Sequence, residues 1–256
     1  MIDVTKINIQ TVAEDSTYGE FVMDLLPRGY GYTLGTPIRR TLLTSMSGSA
    51  ITSVKINGVK HEFSTITGVK EDVLKILLNL KKIIVKNHTD KPQVITLSVK
   101  GQKTVTAGDI DKNALVDVIN KDLVIAEMTA KSAAIEIEMT VENGVGYVIA
   151  DNLRRSKIGT IPLDANFSPV ERVSMDVFPT RSGQETDLDK LVLKIWTRGN
   201  EKPSDVLKNA IDHLKSIFSG MSGVGSVEAE EEVSEKEVKT SKATKTVKKK
   251  TTKKTK

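Results

Sequence analysis

Three glycines fall within seven residues, at Gly29, Gly31 and Gly35, and from Leu34 an apolar side chain returns at every fourth position, at Ile38, Leu42 and Met46. A four-residue repeat keeps those side chains on one stripe of a helix. The stretch from Arg28 to Met46 therefore predicts a pliant turn feeding an amphipathic helix. Thr36 suits the N-cap of that helix and Pro37 its first position, where a missing N–H costs nothing. The stripe is the packing face, and Arg39, Arg40 and Leu43 point away from it.

Two more helices follow from the same periodicity. Val69, Val73, Ile76, Leu77 and Leu80 make a broad apolar face, with Thr67 as cap and Glu71 and Asp72 near the positive end of the dipole. Leu207, Ala210, Ile211, Leu214, Ile217 and Phe218 line a third helix that follows Pro203-Ser204 and stops at Ser219-Gly220. Between the second and third helices the period drops to two. Ile135, Ile137, Met139 and Val141 alternate with Glu136, Glu138, Thr140 and Glu142, the pattern of a sheet with one wet face. Other strands are expected around Ile7–Ile9, Tyr18–Leu26, Thr52–Ile56, Lys82–Lys86, Gln93–Lys100, Leu123–Met128, Ile158–Leu163, Val170–Val177 and Leu191–Trp196. Asn57-Gly58 predicts a hairpin returning through Val59–Ser64, and Asn143-Gly144-Val145-Gly146 predicts another turn. Helices flanking a β-rich middle give an α+β chain.

The absence of cysteine excludes disulfides, thiolate catalysis and Cys-based zinc sites. No run approaches the roughly 18 apolar residues of a membrane span, and the N-terminus lacks a signal-peptide pattern. A soluble, cytoplasmic protein with no membrane partner is expected. The net charge of +5 is unevenly placed: from Val227 onward there are 10 Lys and 6 Glu, which leaves 28 basic and 27 acidic residues before it. Residues 221–256 run from a Gly/Ser linker through an acidic block into lysines, a composition that cannot bury a core and reads as disordered. Such a tail either contacts DNA nonspecifically and salt-sensitively or simply solubilises the chain. It has no aromatic residue for base stacking.

Motifs for small-molecule chemistry are weak. Gly29-x-Gly31-x-x-x-Gly35 is one residue too long for a dinucleotide fingerprint and lacks the acidic residue about 20 positions on. His61, His88 and His213 are dispersed. Asp187 and Asp189 could hold magnesium, although a turn acid and a strand-edge charge are the simpler reading. No catalytic residue, cofactor or metal is expected in this chain.

Five blocks, in order, carry a more specific message. Arg28-Gly29-Tyr30-Gly31-Tyr32-Thr33-Leu34-Gly35 leads into Ile38-Arg39-Arg40-x-Leu42-Leu43. Ile56-Asn57-Gly58-Val59-x-His61-Glu62-Phe63-Ser64-Thr65 and the run from Gly68 to Lys81 follow, then Phe167-Ser168-Pro169-Val170-Glu171-Arg172-Val173 and Thr186-Asp187-Leu188-Asp189-Lys190-Leu191-Val192. Together they resemble the amino-terminal region of the bacterial-type DNA-directed RNA polymerase alpha subunit.

That resemblance implies a discontinuous dimerisation domain, residues 1–47 plus 168–220, with a β-rich domain, 48–167, inserted. It implies a homodimer on which the beta and beta-prime subunits assemble for transcription, with nucleotidyl transfer performed in the largest subunit. Dimer contacts are expected from Leu34, Ile38, Leu42 and Met46 and from Leu207, Ala210, Ile211, Leu214, Ile217 and Phe218. Positions matching beta contacts are Arg40, Leu43 and Lys75, and those matching beta-prime contacts are Leu163, Val170 and Lys190. Lys75 stands where the family has an acidic residue, whereas Lys81 keeps the family's lysine. The family usually continues into a small helical domain that binds upstream promoter DNA, and here the Glu/Lys tail occupies that place. Two alternatives from other classes are a DNA-compacting protein, disfavoured by the near-neutral body, and a metalloenzyme using Asp187 and Asp189.

Overall fold

In the computed structural model, which describes residues 8–59, 61–150, 159–182 and 185–221, an antiparallel pair opens the chain: β1 (Asn8–Glu14) and β2 (Tyr18–Pro27). Helix α1 (Tyr30–Thr44) follows, then β3 (Ser47–Ile56) and α2 (Val73–Leu80). Six strands follow: β4 (Val85–Asn87), β5 (Gln93–Lys100), β6 (Lys103–Thr106), β7 (Val116–Val118), β8 (Val124–Met128) and β9 (Ala134–Val145). After β10 (Tyr147–Val148), β11 (Ile161–Pro162) and β12 (Ala165–Asn166), a long hairpin of β13 (Val170–Ser182) and β14 (Glu185–Thr197) leads to α3 (Pro203–Met221).

The strands sort by position in the chain. One antiparallel sheet has the order β1-β2-β14-β13 and joins residues 8–27 to residues 170–197. The other main sheet, β11-β3-β9-β5, uses only residues between them. Pairs β4/β7, β6/β8 and β10/β12 complete the middle. In the second sheet the alternation read from β9 holds: Ile135, Ile137, Met139 and Val141 are buried against Val73, Ile76, Leu77 and Leu80 of α2 in one core. On the wet face Glu138 meets Lys55 at 3.1 Å and Glu136 accepts from Asn57 at 3.0 Å. The Lys55–Glu138 pair is half exposed, so solvent screening leaves it worth little.

Several local expectations give way to long-range pairing. The chain does turn at Gly58, with φ 79°, but no returning strand occurs among the described residues of Val59–Ser64. Ile56 pairs instead with Ile137 of β9, and Val59 drops into the core at 8 % exposure. The predicted turn at Asn143-Gly144 is part of β9, because Gly144 and Val145 pair with Gly48 and Ser47; the chain bends at Gly146, φ 72°, before β10. Strands β13 and β14 outrun their apolar patterns because each is the other's partner along nearly its whole length. Strand β11 is shorter than the Ile158–Leu163 expectation, part of which lies outside the described residues, as does the tail beyond residue 221.

One compact unit extends through Asp212. The remaining residues form a second unit, of which His213–Met221, the last turns of α3, are described. Helix α3 begins where Glu14 Oε1 accepts the backbone N–H of Ser204 at 3.0 Å, satisfying one of the four N–H groups that a helix start leaves unpaired. The Ser204 side chain, and then that N–H, draw the Glu14 carboxyl below its usual range by hydrogen bonding to it. The helix also runs through Gly220 to Met221 instead of ending there.

Candidate functional site

Helix α1 starts earlier than its sequence suggests. Its N-cap is Gly29 at φ 84°, a left-handed conformation that suits glycine, and Tyr30 is its first residue. Neither Thr36 nor Pro37 starts the helix; both lie inside it. The cap comes from far along the chain. Asp189 Oδ2 accepts from the N–H of Gly29 at 2.7 Å and of Gly31 at 3.1 Å. A carboxylate there both satisfies donors and complements the helix dipole. Asp187 lies 3.5 Å from Arg28, a fully solvated pair. The two aspartates therefore both serve the start of α1, and no group of three metal-ligating acids or imidazoles occurs among the described residues. His61 contacts Ser64, and His88 lies 2.8 Å from Asp117.

Gly31 and Gly35 are buried members of α1, not hinge residues before it. A Cβ on Gly31 would sit 2.6 Å from Val177 Cγ1, and one on Gly35 would sit 2.5 Å from Met175 Sδ and 2.9 Å from Leu191 Cδ1. The glycines let the helix lie directly on β13 and β14. Ile38, Leu42 and Met46 are buried beside them, and Leu34 is half-buried. The α1 stripe expected at a dimer seam is therefore occupied within its own protomer. The opposite flank presents Arg39, Arg40 and Leu43 to solvent, with Tyr32 61 % exposed.

The second helix is capped by Asp72, whose carboxylate accepts the Lys75 N–H at 3.1 Å, and not by Thr67. Asn79 anchors its far end by donating to Ile125 O at 2.9 Å. Lys75 faces solvent between the exposed apolar side chains of Leu74 and Leu78. Arg40, Leu43 and Lys75 are thus all accessible, on two different helices.

The other predicted contact set is arranged differently. Leu163 and Val170 are each only 5 % exposed, and Lys190 is half-buried on β14 opposite Phe178. The first two can shape a surface but present little side chain to a partner. Sequence reasoning passed over Asp164, which nothing in its local pattern marks. Its Oδ2 lies 2.8 Å from Lys81 Nζ and its Oδ1 accepts the Ala150 N–H at 2.9 Å. Lys81, then that backbone donor, with Tyr147 adding a further hydrogen bond, hold the carboxyl at about 2, below its ordinary 3.8.

Along α3, Val206, Leu207 and Ala210 are buried and Ile211 and Leu214 are half-buried. Ile217, Phe218 and Met221 are 46–63 % exposed. An apolar helix end left in water is the kind of surface that association covers.

Comparison with known proteins gives a consistent picture. A family model described as the RNA polymerase Rpb3/RpoA insert domain matches residues 54–168, and one for the Rpb3/Rpb11 dimerisation domain matches residues 125–218. The chain is 45% identical over 218 residues to a DNA-directed RNA polymerase subunit alpha of Deinococcus radiodurans, covering 85% of this chain and 64% of that one. Similar subunits from Heliobacterium modesticaldum and Symbiobacterium thermophilum are each 45% identical, over 236 and 240 residues. Those alignments cover 89% and 91% of this chain and 74% and 76% of the relatives.

Proposed function

This chain belongs to the family of DNA-directed RNA polymerase alpha subunits, and from that premise we propose that it is the noncatalytic scaffold of the polymerase. In this reading two copies associate through a dimerisation domain of residues 1–47 and 168–220, and the domain of residues 48–167 is carried between those segments. The dimer nucleates assembly of one beta and one beta-prime subunit. The observation that carries the reading is the solvent-facing flank of α1, where Arg40 and Leu43 project from a helix fixed at its start by Asp189. A rigid helix holds a guanidinium in place, and its planar fork suits carboxylate or carbonyl groups of a partner.

Lys75 on α2 belongs to the same beta-facing set, and its positive charge calls for an acidic partner where relatives would use a basic one. On the beta-prime side Lys190 is the direct contact, while Leu163 and Val170 hold the surface in shape from beneath. Homodimerisation uses the exposed end of α3, Ile217 and Phe218, more than the α1 stripe, because Ile38 and Leu42 are already enclosed. Nucleotidyl transfer, with its metal chemistry, then falls to a large subunit, and this chain needs no cofactor of its own.

The test is affinity purification of the full tagged chain with its native partners. Two copies of this chain with one each of two large subunits is the expected composition. Arg40→Ala should leave the dimer intact and weaken beta capture at least tenfold. Recovery of the chain alone, or with beta bound equally well by the variant, would overturn the reading.

A further inference from the structure

A cleft of about 540 Å³ lies between the end of β14 and the segment that follows α2, and its walls carry Lys81, Lys82 and Arg198 beside the indole of Trp196. Sites for small ligands occupy roughly 300–1,000 Å³, so the cleft has room for one. Lys81 is engaged by Asp164, 2.8 Å away. Lys82 and Arg198 are not engaged: among the described residues neither side chain has an ion pair or donates a hydrogen bond. Lys82 is exposed, as lysines usually are, and would by itself mean nothing. Arg198 is half-buried. A guanidinium that has given up part of its water without gaining an acceptor is left with donors to satisfy.

Both cations stand on a fixed backbone. The Arg198 N–H donates to Pro169 O at 3.0 Å, and the Thr197 N–H to Thr17 O at 2.8 Å. On the other segment Asn120 donates to Lys82 O at 2.9 Å and accepts the Ile84 N–H at 2.8 Å. The indole is held as well. The Arg172 guanidinium lies 4.7 Å from the centroid of Trp196, and the Tyr18 ring is 5.3 Å from it. A site set before its ligand arrives loses less ordering free energy on binding.

We propose that this cleft binds a small phosphorylated ligand, with phosphate oxygens on Arg198 and Lys82 and an apolar ring against Trp196 and Ile84. The planar fork of a guanidinium matches two phosphate oxygens at once, and an ammonium adds a point charge. Apolar walls with a few placed polar groups are the usual make-up of such sites. The one carboxylate on the walls is Glu171, exposed at the register shift of β13 between Val170 and Arg172. Its charge opposes the anion.

Trp196 is the chain's one tryptophan, so its fluorescence reports this cleft and is blind to phosphate gathered by the distant lysines of the tail. The full chain is titrated at fixed salt with AMP, with inorganic phosphate and with a short DNA duplex, correcting for ligand absorbance. The expected result is a saturable change with AMP at about 1 mM or below, and a weaker one with inorganic phosphate, which has similar charge but no ring. Arg198→Ala and Lys82→Ala should each weaken AMP binding at least tenfold with an unchanged melting temperature, and Glu171→Gln should tighten it. No response to AMP, or equal binding by the folded variants, would overturn the proposal. Inorganic phosphate binding as tightly as AMP would overturn it by removing the ring from the site. DNA acting as strongly per phosphate as AMP would assign the cations to a nucleic-acid backbone and overturn it too. If Arg198→Ala unfolds, Lys82→Ala carries the same test. None of these outcomes depends on subunit assembly, so failure here leaves the scaffold reading intact.

Discussion

One oxygen of Asp189 accepts the backbone N–H of Gly29 at 2.7 Å, across 160 positions of sequence. The same oxygen takes the N–H of Gly31, so the start of α1 is fastened to β14 and not to its own neighbours. Strand β2 meets β14 with a register shift between Asp189 and Leu191, where Leu25 adopts φ 62°. A leucine in that left-handed region is strained by about 1 kcal/mol or more. The irregularity lies beside the residue that starts the helix bearing Arg40.

Removing that cap has a measurable cost. Asp189→Ala should lower unfolding free energy by about 1–2 kcal/mol, the range for losing a capping acceptor and its favourable dipole interaction. Asp189→Asn retains an acceptor and should lose less. Urea titration of both variants distinguishes them, and equal stability to wild type would show that water caps the helix as well.

The glycines of α1 predict an inversion of helix propensity. Gly31→Ala would gain about 1 kcal/mol in an exposed helix, yet its methyl would meet Val177 Cγ1 at 2.6 Å. Overpacking costs about 1–3 kcal/mol, so net destabilisation is expected. Val177→Ala in the same chain should recover much of it, and a double-mutant cycle with no coupling between the two sites would contradict the close approach.

Acid stability should carry the signature of Asp164. Its folded-state value of about 2 lies below the ordinary 3.8, so its contribution is fully present above pH 3.8 and is lost as pH falls through 2. The Lys81 and Asp164 side chains are 29 % and 31 % exposed, so solvent screening limits the effect to about 1 kcal/mol. Asp164→Asn should lower stability at neutral pH and flatten its pH dependence between pH 4 and pH 2, read from melting temperatures across that range.

Core and surface positions on the predicted dimer stripes should separate cleanly. Leu42→Ala, at 0 % exposure, should cost the protomer about 2–5 kcal/mol. Ile217→Ser with Phe218→Ser should leave protomer unfolding nearly unchanged and weaken self-association at least tenfold, measured by sedimentation equilibrium. A double variant that remains as tightly dimeric as wild type would place the seam elsewhere.

Much of the architecture was legible because it rests on periodicity. Val73, Ile76, Leu77 and Leu80 declared α2, and the Ile/Glu alternation of β9 declared both its buried and its wet face. Misread elements share a cause. Asn57-Gly58 looks like a hairpin turn and the glycines of α1 look like a loop because local propensity was weighed without the partner. At Ile56 the partner is Ile137, and at Gly31 and Gly35 it is the β13–β14 surface, none of which is adjacent in sequence. Asp164 escaped notice for a related reason: a single carboxylate acquires meaning only from what surrounds it.

The sequence by itself determined the elements with strong periods, the α+β class, the absence of cysteine chemistry and, through five ordered blocks, the family. Those features reside in residue type and spacing, which chain geometry converts directly into faces. Only the tertiary structure decided which faces were consumed. It enclosed Ile38 and Leu42 and left Arg40, Leu43, Ile217 and Phe218 in water, because burial depends on which distant surfaces meet. It also made Asp189 the cap of α1, since the donors it satisfies lie on a segment that only folding brings to it.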